Sequence, residues 1–426
     1  MLAVAFGVLL LLLALSVPVA ATLFALGVFL DVAYAPTNLV SALDLILWRE
    51  TTSFILVAIP LFILLGEILL RSGIAGRVYE ALNAWLSWLP GGLMHANVGT
   101  SMMFSATSGS SVATAATVGT IALPQARKLG YDDRLFAGSI AAGGTLGIMV
   151  PPSINLIIYG FLTQTSIPSL FLAGIIPGVA LAGIFMLIIF LISVLRPKVS
   201  GQVTSADWST RFKGLVHLIP IFLLFFVVIG SIYTGLATPT EAAAVGVLCA
   251  LALAAAYRGL SLTMMRDALE GTMRSTAMIM LILLAANFLN FVFARVGITA
   301  QLTDFLDELA IGRIAMLFLI VLFYIILGFF IETLSLMVIT IPIVTPVVFA
   351  LGFDPVWFGI LLIVLIEMAL ITPPIGLNLY VVQGVRGYGS LTDVMVGAIP
   401  FVVAMFIMVL LLIAFPGIAL YLPGLG

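Results

Sequence analysis

Apolar runs long enough to cross a lipid bilayer follow one another along almost the whole chain. They decide what it can fold into, because about 20 consecutive apolar residues span the hydrocarbon core. The runs at 2–17, 18–33, 51–70, 135–163, 168–195, 215–234, 240–257, 274–294, 355–385 and 394–415 meet or approach that length. The first two are separated only by Ser16–Pro18. No small-residue cleavage site follows them, so both are kept as spans rather than as a leader. Charge is correspondingly scarce: 8% of the 426 residues are Asp, Glu, Lys or Arg, whereas an average soluble domain carries about 25%. A soluble enzyme and a nucleic-acid binder with a basic face are excluded. One cysteine, Cys249, excludes a disulfide scaffold. Continuous apolar runs, rather than short alternating ones, argue against a porin-type barrel. The fold class is therefore an all-α polytopic membrane protein.

Orientation follows from the cations, which concentrate on the cytoplasmic side. Arg71, Arg77, Arg127, Lys128, Arg134, Arg196, Lys198, Arg211, Lys213, Arg258, Arg266, Arg274 and Arg386 can all lie inside, leaving Arg49, Arg295 and Arg313 outside. That holds only if the segments near 92–126 and 313–350 enter and leave on the same side. They are expected to be re-entrant helical hairpins. Segments 74–88 and 299–310 mix apolar and charged residues at helical spacing and are expected to lie along the interface.

The two halves resemble each other at a separation of 221 to 224 positions. Pro18 matches Pro239, Arg71–Ile74 matches Arg295–Ile298, and Pro124 matches Pro346. Leu129–Asp132 matches Leu351–Asp354, Pro151–Pro152 matches Pro373–Pro374, and Ile176–Pro177 matches Ile399–Pro400. Five spans plus a hairpin per half is an odd number of crossings, so the second half starts on the opposite face. This is an inverted-topology repeat of about ten spans and two hairpins, a recurring construction of secondary transporters. The expected organisation places the first repeat at 1–196, with scaffold spans 1–73, an arm helix 74–90, a hairpin 91–127, a broken span 132–164 and a span 168–196. A cytoplasmic linker covers 197–214. The second repeat covers 215–426, with scaffold spans 215–296, an arm helix 299–310, a hairpin 312–350, a broken span 355–385 and a span 394–422.

Non-helical backbone at membrane depth is tolerated only where it is buried in protein or lines a cavity. Four places carry it: the hairpin tips at Thr107–Ser111 and Glu332–Ser335, and the breaks at Gly143–Ser153 and Thr372–Gly376. Paired prolines remove backbone donors and disfavour helix before them. The freed carbonyls and nearby hydroxyls are hard ligands suited to Na⁺. The half-helices beyond each break aim their N-termini at the centre and favour an anion there. Two sites follow, each made from the tip and the break of one half. The polar side chains at these places, Ser111, Ser153, Asn155, Ser335 and Asn378, are candidate substrate contacts; Asn155 and Asn378 could equally satisfy freed backbone. Glu332 is a candidate cation or proton ligand or a helix cap. Glu367 either lines the ion path or bonds a neighbouring helix. Glu67 sits four residues before Arg71, in the order of a helical ion pair. Glu241 is expected to be a helix-N-terminal carboxylate. His95 and His217 have no ligand company, so no transition metal and no cofactor are expected. There is no phosphate-binding G-x-x-x-x-G-K-[ST], so an ion gradient is the expected energy source. No catalytic constellation argues for an intramembrane enzyme.

The stretch T-S-G-S-S-V-A-T-A-A-T-V-G-T-I-A-L-P from Thr107, with G-T-L-G-I-M-V-P-P-S-I-N from Gly144, resembles the large membrane subunit of tripartite ATP-independent periplasmic (TRAP) transporters. So do I-E-T-L-S-L-M-V-I-T-I-P-I-V-T-P from Ile331 and I-T-P-P-I-G-L-N from Ile371. The resemblance covers essentially the whole chain and implies an elevator-type ion-transporter-like architecture, with a scaffold and a mobile transport domain. It implies Na⁺-driven import of an organic acid anion (a dicarboxylate, sialic acid or a similar carboxylate) across a bacterial or archaeal inner membrane. It also implies two partners, a small four-helix membrane subunit and a periplasmic substrate-binding protein. The small subunit is not expected to be fused here. Carried onto matching positions, the resemblance implies one Na⁺ site at Ser108, Ser110, Gly147, Val150 and Pro152. A second is implied at Glu332, Thr333, Thr372 and Ile375, with Glu332 standing where some members have Asp. The alternative is a stand-alone anion/Na⁺ or anion/H⁺ symporter of similar fold.

Overall fold

The protein is described by a computed structural model covering residues 1–108, 110–202, 207–298, 301 and 311–425. The expected arm helix at 299–310 lies outside the described residues, apart from Gln301. Every long element among the described residues is helical.

The first half runs α1 (Leu2–Ala14), α2 (Val19–Tyr34), a short α3 (Leu43–Thr51), α4 (Ala58–Arg71) and α5 (Ile74–Leu86). It continues through α6 (Leu93–Ser108), α7 (Ser111–Leu129), α8 (Asp133–Met149), α9 (Ile154–Thr163) and α10 (Ile167–Leu195). The second half runs α11 (Trp208–Tyr233), α12 (Pro239–Ala256), α13 (Leu262–Val296), α14 (Arg313–Gly328) and α15 (Thr333–Ala350). After these come α16 (Pro355–Ala369), α17 (Leu377–Arg386), α18 (Leu391–Ala414) and a terminal turn, α19 (Gly417–Leu420).

Local chemistry repeats between the halves. Leu-Gly-Tyr-Asp and Leu-Gly-Phe-Asp each turn the chain from a hairpin into the next helix. Gly130 and Gly352 take left-handed φ values of 72° and 74°, a region open to glycine without steric cost. Asp132 then accepts the amides of Arg134 and Leu135 at the start of α8. Asp354 accepts those of Val356 and Trp357 at the start of α16. These carboxylates satisfy orphan donors at a positive helix end. Both Pro-Pro peptides, Pro151–Pro152 and Pro373–Pro374, are cis.

The helices pack as two groups. In one, α13 lies against α2 and α4, α12 against α4, and α11 against α12 and α5. In the other, α8 is central, surrounded by α6, α7, α10, α17 and α18. There α16 packs on α10, α14 and α18. Arms and half-helices are exchanged between halves: α7 lies on α17, and α15 lies on α9. The groups meet where α4 touches α6 and α9, and where α13 touches α15.

Span lengths differ from the sequence expectation. Among the described residues seven helices are long and apolar enough to cross a bilayer, or eight if α8 and α9, bent by 42° at their break, count as one span. The chain is a multi-pass membrane protein. Helices α1 and α2 have 13 and 16 residues, shorter than a full crossing. Helix α13 has 35 residues and begins at Leu262, so Arg266, Asp267, Glu270 and Arg274 are helical rather than loop. An exposed Arg274–Glu270 pair at 3.3 Å decorates that turn.

Charged and aromatic groups mark the ends. Arg134 pairs with Asp393 at 2.9 Å, and Arg386 pairs with Asp133 at 3.3 Å. The Arg127 guanidinium lies 5.0 Å over the Tyr388 ring. These contacts bring the starts of α8 and α18 and the ends of α7 and α17 to one face. Arg77 lies 4.7 Å over the Tyr257 ring. Glu67 and Arg71 form the anticipated i,i+4 pair at 2.7 Å. Glu241 completes a capping box with Thr238. His95 bonds the Pro90 carbonyl, and His217 faces the Tyr257 hydroxyl.

Candidate functional site

The first break is cut by chemistry rather than by a loop. In an uninterrupted helix the N–H groups at 151 and 152 would bond the carbonyls of Gly147 and Ile148. Proline has no N–H. The Val150 amide still reaches Leu146, and beyond it the break supplies no donor for Gly147 or Ile148. Helix α9 then restarts with Ser153 as N-cap, its hydroxyl accepting the Leu156 amide at 3.4 Å. Gly143 to Ser153 are buried throughout, so this irregular backbone is enclosed in protein.

The second break is not a copy of the first. Residues 370–376 separate α16 from α17, and the carbonyls freed by Pro373 and Pro374 find other donors. Thr372 N–H bonds Ala369, and Asn378 N–H bonds Leu370. Pro374, Ile375 and Leu377 are exposed. The Thr372 hydroxyl donates to Met368 O at 2.6 Å. Gly376 sits hard against the Leu370 carbonyl, 2.5 Å from where a Cβ would be.

The tips are built by capping. Ser110 caps α7, accepting the Ala113 amide at 3.3 Å. Glu332 caps α15: its carboxylate accepts the amides of Leu334 and Ser335 and the Ser335 hydroxyl, each at 3.1 Å. Ser111, the first residue of α7, donates to a carboxylate oxygen of Glu367 at 2.6 Å. That bond joins a tip in the first half to a helix in the second. The hairpins are braced behind their tips. The Tyr79 hydroxyl donates to Asn97, which donates to Ser139 at 2.9 Å, linking α5, α6 and α8. Tyr324 donates to Thr340 at 2.7 Å, linking α14 and α15.

Both tips and the first break open onto one cavity of about 290 Å³. Its walls include Ser110 and Ser111 from one tip, Glu332 and Thr333 from the other, and Ile148, Asn155 and Leu370 from the broken spans. The opposite wall comes from the first helix group: Ile63, Gly66 and Glu67 on α4, and Ser275 and Met278 on α13. Among the described residues no Lys or Arg lines it. Asn155 is 1% exposed and its Nδ2 has no hydrogen-bond partner among the described residues.

The expected site residues thus divide. Ser110, Ser111, Asn155, Glu332 and Thr333 line the cavity. Gly147, Val150, Pro152 and Ser153 lie buried at the first break behind it. Ser335 is buried beneath the Glu332 cap, while Asn378 is buried and donates to Ala141 O at 3.1 Å. Thr372 and Ile375 lie at the more open second break. Ser108 ends α6, and its side chain lies outside the described residues. The α4 and α13 wall was invisible in the sequence, since apolar spans carry no motif. Glu67 was legible only as the partner of Arg71.

A profile of the family described as "Tripartite ATP-independent periplasmic transporter, DctM component" matches residues 6–418. The chain belongs to that family. It is a large permease of the TRAP type, a transporter subunit rather than an enzyme. It is 34% identical over 401 residues to the C4-dicarboxylate TRAP transporter large permease protein DctM of Pseudomonas aeruginosa, covering 93% of this chain and 92% of that one. It is 35% identical to the sialic acid TRAP transporter large permease protein SiaM of Vibrio cholerae, covering 88% and 87%. It also spans 66% of the longer isethionate TRAP transporter permease protein DctMQ of Oleidesulfovibrio alaskensis, at 31% identity. In three dimensions this TRAP permease is similar to the YdaH transporter of Alcanivorax borkumensis. The TM-score is 0.59 at 15% sequence identity, over 94% of this chain and 98% of that one. MtrF of Neisseria gonorrhoeae gives a TM-score of 0.57, also at 15% identity, over 88% and 84%. These two likenesses concern the fold alone.

Proposed function

We propose that the chain imports an organic acid anion together with Na⁺ across a bacterial or archaeal cytoplasmic membrane, by an elevator movement of the α6–α10 and α14–α18 group against the α1–α5 and α11–α13 group. The supporting observation is the shared cavity. Two hairpin tips and a broken span meet there, and its far wall belongs to the other helix group. A solute bound at that boundary changes sides when one group slides past the other.

The chemistry suits an anion carried with cations. Among the described residues the cavity has no basic side chain, so an entering carboxylate finds Asn155 Nδ2, hydroxyls and helix N-termini instead. Positive charge is supplied by Na⁺, held by the oxygens left open at Gly147 and by those around Glu332. The Na⁺ sets proposed are Ser108, Ser110, Gly147, Val150 and Pro152, and Glu332, Thr333, Thr372 and Ile375. Relatives are named for C4-dicarboxylate, sialic acid, isethionate and ectoine, all of which bear a carboxylate or sulfonate. The solute class follows from those names together with the cavity. The partners are a small four-helix membrane subunit and a periplasmic binding protein that delivers the solute, and lipid surrounds the assembly.

The test is uptake of radiolabelled dicarboxylate and sialic acid into proteoliposomes holding both membrane subunits. Uptake should require an inward Na⁺ gradient and the binding protein. Uptake that proceeds in choline chloride, or without the binding protein, would overturn the proposal and favour a stand-alone symporter.

A further inference from the structure

Glu367 is an acid in a place where its repeat partner has none. It sits on α16, six residues before Pro373, and is 1% exposed. The matching position in the first half, 222 residues earlier, is Thr145, whose hydroxyl simply bonds the Ala142 carbonyl at 2.7 Å. One oxygen of Glu367 accepts the Ser111 hydroxyl. The other, Oε1, has no hydrogen-bond partner among the described residues.

A second bare oxygen lies in the same neighbourhood. Asn378, fully buried at the start of α17, donates its Nδ2 to Ala141, while its Oδ1 has no partner among the described residues. A Cβ added to Gly144 would lie 2.8 Å from the Ser111 carbonyl oxygen and 3.1 Å from Asn378 Nδ2. The start of α7 and the start of α17 therefore both pack against α8 at Gly144, and Glu367 is joined to the start of α7 through Ser111. Two buried acceptor oxygens, Glu367 Oε1 and Asn378 Oδ1, belong to elements that pack together there, and neither has a donor among the described residues. Leaving a carboxylate buried and uncompensated is strongly unfavourable. Carboxylate and amide oxygens are ligands for hard cations.

We infer that Glu367 and Asn378, with Ser111 at the edge, form a further Na⁺ site, enclosed between hairpin one and the second broken span and carried within the moving group. This site rests on the Na⁺-coupled reading above and adds to it an ion held by a formal negative charge. Binding there would fix the tip of hairpin one through Ser111, so ion occupancy and the shape of the cavity wall would be linked.

The experiment uses the chain with its small membrane subunit in lipid nanodiscs. NaCl is titrated in against choline chloride at constant ionic strength, and the unfolding temperature is recorded. Wild type should be stabilised by Na⁺. Glu367→Gln, nearly the same size, should need about tenfold more Na⁺ for the same stabilisation, by ligand linkage, and should show a lower Hill slope. Asn378→Ser should shift the curve in the same direction and serves if the first variant does not fold. A wild type indifferent to Na⁺ would overturn the coupling itself along with this site. A Na⁺-responsive wild type with both variants tracing the same Na⁺ curve would remove the site and leave the coupling intact. Unchanged Na⁺ curves together with loss of uptake-linked proton movement in Glu367→Gln would reassign the carboxyl to proton transfer and contradict the inference.

Discussion

At the scale of the residue, close backbone approach governs the packing of the α6–α10 and α14–α18 group. Helices α8 and α18 touch at Gly138 and Gly397. A Cβ on Gly397 would run into the carbonyl of Arg134, and one on Gly138 into the carbonyl of Gly397. Backbone cannot swing aside as a flexible side chain can. Gly397→Ala should therefore destabilise the protein by about 1–3 kcal/mol, the usual cost of overpacking, and lower the unfolding temperature in detergent. Gly183→Ala, with nothing within 4 Å of the new carbon, should leave it unchanged. The residue scale is also where the sequence speaks least evenly. Glu67 and Arg71 were legible because helical geometry makes four residues a contact. Glu241 was legible because a carboxylate near a helix start has a local partner. Ser111 and Glu367 are 256 positions apart, and no local rule connects them. Glu332 was open between ligand and cap from sequence; its three hydrogen bonds within its own turn show that it caps α15 whatever else it binds.

At the scale of the element, proline and glycine punctuation carried most of the information. Paired prolines located both helix breaks; the Leu-Gly-aromatic-Asp segments were legible as a repeat, and their role as the turns that start α8 and α16 came from the structure. What could not be read was the difference between the breaks. Whether a freed carbonyl is re-bonded depends on which amide returns to it, as Asn378 N–H does to Leu370, and that is settled by three-dimensional placement. The 35-residue α13 was also missed at its N-terminal end, because four charged residues there resemble a loop until their helical spacing is noticed. The proposed hairpins make a topological prediction. In a Cys249→Ser background, Arg77→Cys and Lys128→Cys should both react with a membrane-impermeant maleimide from the same side, the cytoplasmic one. Labelling from opposite sides would make 92–126 a full crossing.

At the scale of the whole molecule, composition and the internal repeat fixed the class, a membrane transporter of two related halves. The arrangement of groups needed coordinates. Exchange of arms and half-helices, with α7 on α17 and α15 on α9, turns two sequence repeats into one body, and α4 and α13 of a second body close the cavity from outside the repeat motifs. The central claim is that these bodies move past each other while the solute is held between them. Leu334 beside one tip and Met278 on α13 face the same cavity from the two bodies. With Cys249 removed, Leu334→Cys and Met278→Cys joined by a short thiol cross-linker should abolish Na⁺-driven uptake in proteoliposomes, and a reducible linker should restore it when cleaved. Undiminished uptake by fully cross-linked protein would contradict the elevator movement.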